Sequence, residues 1–110
     1  MKNILTSVKK DVNVEASDNH FDAVIIEHIN SVFADLTQMG VGPSDGFYIE
    51  DETSSWTDFI GDSLLLQSVK SYMGLRVRLL FDPPLNSAVL ESMKNQIEKW
   101  EWRLHVAADT

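Results

Sequence analysis

An all-α fold is the architecture this sequence predicts: a small helical bundle of three long helices and a short N-terminal one. Apolar residues recur at i, i+3, i+4 and i+7 in long stretches. Two abrupt helix stops, "GVGP" and "DPP", separate those stretches. The chain has 110 residues, which reads as a single domain, 1–110. A chain of that size buries about two-thirds of its unfolded surface, enough for one modest core.

The elements follow in order. "NILTSVKK" places Ile4, Leu5 and Val8 on one side of a short helix. Alone it is marginal, so it must dock or fray. "DVNVEASDN" is a connector in which Ser17, Asp18 and Asn19 are all good helix N-caps. The first long helix reads "HFDAVIIEHINSVFADLTQM", with Phe21, Ile25, Ile29, Val32, Phe33, Leu36 and Met39 on its apolar face. Gly40 supplies a left-handed cap and Pro43 prevents continuation.

Residues 40–62 form a long connection for so small a domain. Phe47, Tyr48, Ile49, Trp56, Phe59 and Ile60 give it something to bury, so a structured loop or small β-hairpin is expected between the second and third helices. "FYIE" has strand character, "SSW" could pair back on it across "DET", and a turn of helix is expected at "WTDF". "SLLLQSVKSYMGLRVRLLF" follows, capped by Asp62 or Ser63. It is apolar nearly all round, which marks the central helix. At about 1.5 Å per residue it would span roughly 27 Å. Pro83 and Pro84 then force a corner. Asn86 or Ser87 caps the last helix, and Leu85 is placed to pack on Leu90 as a hydrophobic staple. Leu90, Met93, Ile97, Trp100 and Leu104 form its near-heptad stripe. Trp102 lies about 200° around the helix from Trp100 and is expected to be partly exposed. The tail "AADT" is expected to fray.

The net charge is −8, and its layout is uneven. Residues 15–62 carry eleven acids and no Lys or Arg, whereas both flanking segments are slightly basic. Such a middle repels phosphates and argues against sequence-specific DNA binding. It is either a solvated surface or a face that meets a basic surface on a neighbouring subunit. There are no cysteines, which excludes a disulfide framework and fits a reducing cytoplasm. No apolar run is long enough to cross a bilayer. "MKNILTSVKK" lacks the marks of a signal peptide.

No catalytic signature emerges. "GVGPSDG" is preceded by a helix rather than a strand and has no lysine nearby, so a phosphate loop is not expected. His20, His28 and His105 lack zinc-type spacing, and His28 reads as a packing residue. Glu50 to Glu52 lack calcium-loop spacing. The polar residues spread over outer helix faces rather than converging. Neither an enzyme nor a cofactor nor a metal is expected.

Two stretches carry a resemblance, "HINSVFADLTQMGVGPSDGFYIEDETSSWTDFIGD" and "VKSYMGLRVRLLFDPPLNSAVLESMKNQIEKWEWRLHV". From about His20 to His105 the chain resembles the head-tail connector, or neck adaptor, proteins of tailed bacteriophages and prophages. Its more specific parts are "INSVF…L…GVGP", "W…F", "VRLLFDPP" and "EWRL". The resemblance implies a structural ring in the virion neck, assembled in the host cytoplasm. That ring would lie between the portal protein and a downstream neck or tail protein, match the portal's twelve-fold symmetry, and let DNA pass without sequence-specific binding. A rigid "DPP" corner suits a ring subunit that presents two surfaces at a fixed angle, although it would equally end a helix in any bundle.

The expected partner contacts are Glu50, Asp51 and Glu52, facing Arg76 or Arg78 of a neighbour, together with Trp102 and Arg103 on the last helix. Lys70 and Arg78 sit about 80° apart around the central helix, and Arg76 about 120° to the other side of Lys70. A second reading is an acidic inhibitor from a mobile element that mimics DNA and binds a host nuclease or defence protein.

Overall fold

Helix starts and stops in the sequence divide the chain into five helices. The computed structural model describes residues 3–61 and 63–108. Within them lie α1 (Ile4–Asp11), α2 (Asp22–Gln38), α3 (Trp56–Ile60), α4 (Leu66–Phe81) and α5 (Ser87–Ala108). The fold is all-helical, as the periodicity predicts. α4 packs against α1, α2 and α5, and α1 also touches α2.

α1 docks rather than frays. Ile4, Leu5 and Val8 are buried, and the Asn3 side chain caps the helix by accepting from the Thr6 N–H at 2.6 Å. Its last turn meets α4 where Gly74 carries no side chain. A Cβ there would lie 2.7 Å from the Asp11 carboxylate, so a larger residue would force that side chain to shift. Lys9 is 2% exposed, an unusual burial for a lysine. Its ammonium reaches Asp22 Oδ1 at 2.8 Å and donates to the Ala16 carbonyl at 3.1 Å, tying α1 to the start of α2 across the connector.

α2 buries Ile25, Ile29, Val32, Phe33 and Leu36 completely. It begins later than its candidate caps suggest. Asp18 Oδ1 accepts from the His20 N–H at 3.0 Å, so that side chain serves a turn ahead of the helix. Phe21 takes the N-cap position without a side-chain cap. It is 39% exposed rather than core, with its ring edge-on to Phe81 at 5.4 Å. At the other end Gly40, at φ 85°, closes the helix as expected. The Val41 N–H donates to the Leu36 carbonyl at 2.9 Å and the Gly40 N–H to the Thr37 carbonyl at 3.1 Å, the paired closure of a Schellman motif.

The expected β-hairpin does not form among the described residues. Ile49 finds its backbone partners in one side chain instead. Its N–H donates to Asn30 Oδ1 at 2.8 Å, and Asn30 Nδ2 donates to its carbonyl at 2.9 Å. A single amide on α2 therefore does for "FYIE" what a partner strand would. One isolated antiparallel bridge, Asn3 with Ser55, joins the loop to α1. The expected helical turn at "WTDF" is α3, where Asp58 Oδ2 accepts from the Ser55 N–H at 2.8 Å. Phe47, Trp56 and Phe59 gather around Phe33 of α2, with ring centroids 5.0, 6.3 and 4.7 Å from it.

α4 is the central helix, though it starts at Leu66. Ser63 organises the preceding turn by accepting from the Leu65 N–H at 3.0 Å, whereas Asp62 lies outside the described residues. Leu64 falls in that turn and is fully exposed, so the apolar run overstates the helix by its first residues. Val69, Tyr72, Met73 and Val77 are completely buried.

Candidate functional site

The corner after α4 determines what α5 can present. Asp82 leaves the helical region at φ −149°, ψ 69°, and Pro83 and Pro84 follow. Asn86 then caps α5, its Oδ1 accepting from the N–H groups of Ala88 and Val89 at 2.8 and 3.1 Å. The expected staple is not made. Leu85 stands fully exposed, because the corner carries it into solvent with no apolar wall beside it. The expected stripe does form: Met93, Ile97 and Leu104 are buried, and Leu90 and Trp100 are half-buried. The other faces of α5 are open. Trp102 is 69% exposed, and Val89 and Val106 are each nearly half exposed. The last two residues, Asp109 and Thr110, where fraying is expected, lie outside the described ones.

A polar network fixes α5 to the bundle. Arg76 on α4 donates to Asp35 Oδ2 of α2 at 2.7 Å and to the Tyr72 hydroxyl at 2.5 Å. That hydroxyl donates to Glu101 Oε2 of α5 at 2.7 Å, and Glu101 lies 3.7 Å from the Arg76 guanidinium. Three helices thus meet at one cation. Burial pushes the Tyr72 phenol above its ordinary range, and the bond to Glu101 raises it further. Burial by itself would lower the Arg76 pKa, but Asp35 and Tyr72 override it and the net shift is upward. Arg76 therefore binds its own subunit together.

Two open grooves flank α5 where it crosses α4. One is lined by Asp35, Gln38, Met39, Tyr72, Glu101, Trp102 and His105, so Trp102 shares a groove with the three partners of Arg76. The other is lined by Asp11, Lys70, Ser71, Gly74, Leu75, Arg78, Gln96 and Trp100. The helical geometry that separates Arg76 from Lys70 and Arg78 holds in three dimensions. The partners of Arg76 line the first groove, and Lys70 and Arg78 line the second. Arg103 is exposed and lies over the Trp100 ring at 5.2 Å, on the rim of the basic groove.

Glu50, Asp51 and Glu52 form an exposed turn in the loop between α2 and α3. Asp51 Oδ1 accepts from the Thr53 N–H at 2.9 Å and hydroxyl at 2.5 Å, which lowers its pKa and fixes the turn. None of these acids is ion-paired with a described residue of the same chain. The structure thus brings Arg78 and Trp100 into one groove with Arg103 over the Trp100 ring, puts Trp102 in the other groove beside Asp35, Tyr72 and Glu101, and leaves the acidic turn lining neither.

Sequence reasoning missed three residues of consequence. Asp35 and Glu101 have partners far along the chain, and no local spacing announces them. Asn30 falls outside the apolar stripe of α2 and carries no mark of its own. A hint lay in the unpaired strand character of "FYIE", which requires hydrogen-bond partners from somewhere. Among the described residues no cluster of His, Cys, Asp or Glu could hold a metal, and no helix is long and apolar enough to cross a membrane.

Comparison with protein families gives one match: the family model described as phage connector protein covers residues 4–110. Comparison with curated proteins and with solved structures found no match.

Proposed function

This chain belongs to the phage connector protein family, and on that premise we propose that its copies form a neck ring between the portal and the tail or stopper proteins of a tailed phage or prophage. The ring would extend the channel through which DNA passes, without sequence-specific contacts. The observation that carries the reading is the reach of the match, which takes in all five helices. The geometry supports it in two ways. The Arg76 network fixes α5 at a set angle to α2 and α4. The outer faces of α5 and the acidic turn then remain as separate surfaces for different neighbours. A ring needs such a pair of unlike surfaces, since its contacts are heterologous. Trp102 and Arg103 are the proposed contacts to the portal or to the adjacent subunit.

The direct test is to tag the chain, purify particles from infected or induced cells, and ask whether it sediments with filled heads. Retention after high-salt washing, with a regular ring visible below the portal by electron microscopy, is the expected outcome. A chain recovered only in the soluble fraction, bound to a host nuclease or defence protein, would establish the acidic-mimic reading instead. That reading is motivated by the eleven acids of residues 15–62. Two of them, Asp22 and Asp35, are already paired with Lys9 and Arg76, which reduces the charge available for mimicry.

A further inference from the structure

We propose that the Glu50–Glu52 turn of one copy docks in the Lys70–Arg78–Trp100 groove of the next. This rests on the ring reading and names the surfaces through which copies would meet.

Charge complementarity comes first. Neither Lys70 nor Arg78 forms an ion pair with a described residue, although both are only partly exposed in the groove. Asp11 also lines the groove and has an interaction of its own. Arg103, stacked on Trp100, adds a third cation at the rim. On the other surface three consecutive carboxylates project from one turn. Arg76 drops out of the contact, since Asp35 and Glu101 already occupy it. The charges that remain are three acids on one surface and, on the other, Lys70, Arg78 and Arg103 against the single acid Asp11.

The second argument is shape and apolar content. The turn borders a small depression lined by Tyr48, Glu50, Asp51, Thr53 and Ser54, and Tyr48 is 66% exposed. An exposed tyrosine beside charged groups has the composition of a contact centre. The groove offers Leu75 and the Trp100 ring as apolar counterparts. The turn is also preorganised, because Thr53 holds Asp51 through two hydrogen bonds, so little ordering cost is added on docking.

The third argument is connectivity. The two surfaces share no residue. A copy that gives its turn to one neighbour keeps its groove for another, so the contact propagates and closes into a ring when the rotation allows.

The chain contains no cysteine, so introduced pairs report cleanly. The test carries Glu52→Cys with Arg78→Cys in one full-length chain, and Glu52→Cys with Gln96→Cys in a second. Gln96 is exposed, which makes the second pair safe for folding. Each is oxidised both as concentrated purified protein and in particles, beside the single-cysteine variants. The expected result is a ladder beyond dimers for either double variant in either setting, with single variants giving at most dimers. Arg78→Glu added to the Gln96 pair should weaken the ladder roughly fivefold, more so at low salt. Ladders absent from both double variants in both settings, or a ladder indifferent to Arg78→Glu, would overturn the proposal. So would a short DNA duplex that occupies the groove and is displaced by Arg78→Glu with no change in oligomers. Sedimentation with particles is scored separately. A chain that enters particles without 52–78 or 52–96 links leaves the ring reading intact and removes this interface.

Discussion

α4 and α5 are adjacent helices of mixed apolar and polar sequence placed in very different surroundings. α4 has packed helices on three sides, and of its sixteen residues only Gln67 and Leu80 are exposed. α5 is longer, at twenty-two residues, yet buries only Met93, Ile97 and Leu104. Its principal helical partner among the described residues is α4, reinforced by the Tyr72–Glu101–Arg76 network. A helix enclosed on three sides defines the subunit. A helix held along one stripe leaves most of its surface for something else. Burial follows partner number here more closely than it follows hydrophobicity, since Leu64 and Leu85 are fully exposed while Lys9 is buried.

Core truncation gives the largest expected effect. Met73→Ala should cost about 2–5 kcal/mol, the usual range for a buried large side chain, measured by urea denaturation. Leu65 and Leu79, which the apolar run alone makes equal candidates, are half-buried, and their alanine variants should cost less. Equal losses at all three positions would break the contrast between an enclosed α4 core and its margins.

Next in size is the tie between the helices. Arg76→Ala should cost about 1–3 kcal/mol, the range for hydrogen bonds to charged groups, discounted because Asp35 and Glu101 are partly exposed and screened. Hydrogen exchange should show the loss concentrated in α5, with α4 less affected. Arg76→Lys should restore only part of it, because one ammonium cannot reproduce the planar fork. Uniform loosening of the whole chain would mean that the network is not specific to α5.

A pH dependence sharpens the same point. The Tyr72 phenol titrates above its unfolded value of about 10. Its contribution to stability is therefore fully present below about pH 10 and lost as pH rises toward the higher folded value. Urea midpoints at about pH 8 and about pH 11 should fall for the native chain by more than for Tyr72→Phe. An identical fall in both would remove Tyr72 from the network's energetics.

Much of this layout is legible in the sequence. Periodicity locates the three long helices, "GVGP" ends α2 through Gly40, and Asn86 starts α5. Helical angles show that Lys70, Arg76 and Arg78 share no single stripe, but they do not show that Arg76 is taken by Asp35 and Glu101 of its own chain. Other features depend on distant partners. Asn30 replaces a strand for Ile49 across nineteen residues, and Arg76 finds Asp35 across forty-one. Lys9 is buried because Asp22 and the Ala16 carbonyl meet it, which no local pattern indicates. The misplaced start of α2 has a local cause, since Asp18 caps a turn in preference to the helix.

The smallest expected effect on stability is the most informative about function. Trp102 is 69% exposed on α5 and contributes little to the core. Trp102→Ala should change unfolding free energy by no more than about 0.5 kcal/mol, as for surface substitutions generally. The deciding measurement is incorporation of Trp102→Ala into particles, relative to the native chain and to Met73→Ala rescued at low temperature. The account requires a folded Trp102→Ala chain that largely fails to enter particles, while folded Met73→Ala enters. Native-like incorporation of Trp102→Ala would contradict the assignment of α5's open face to assembly.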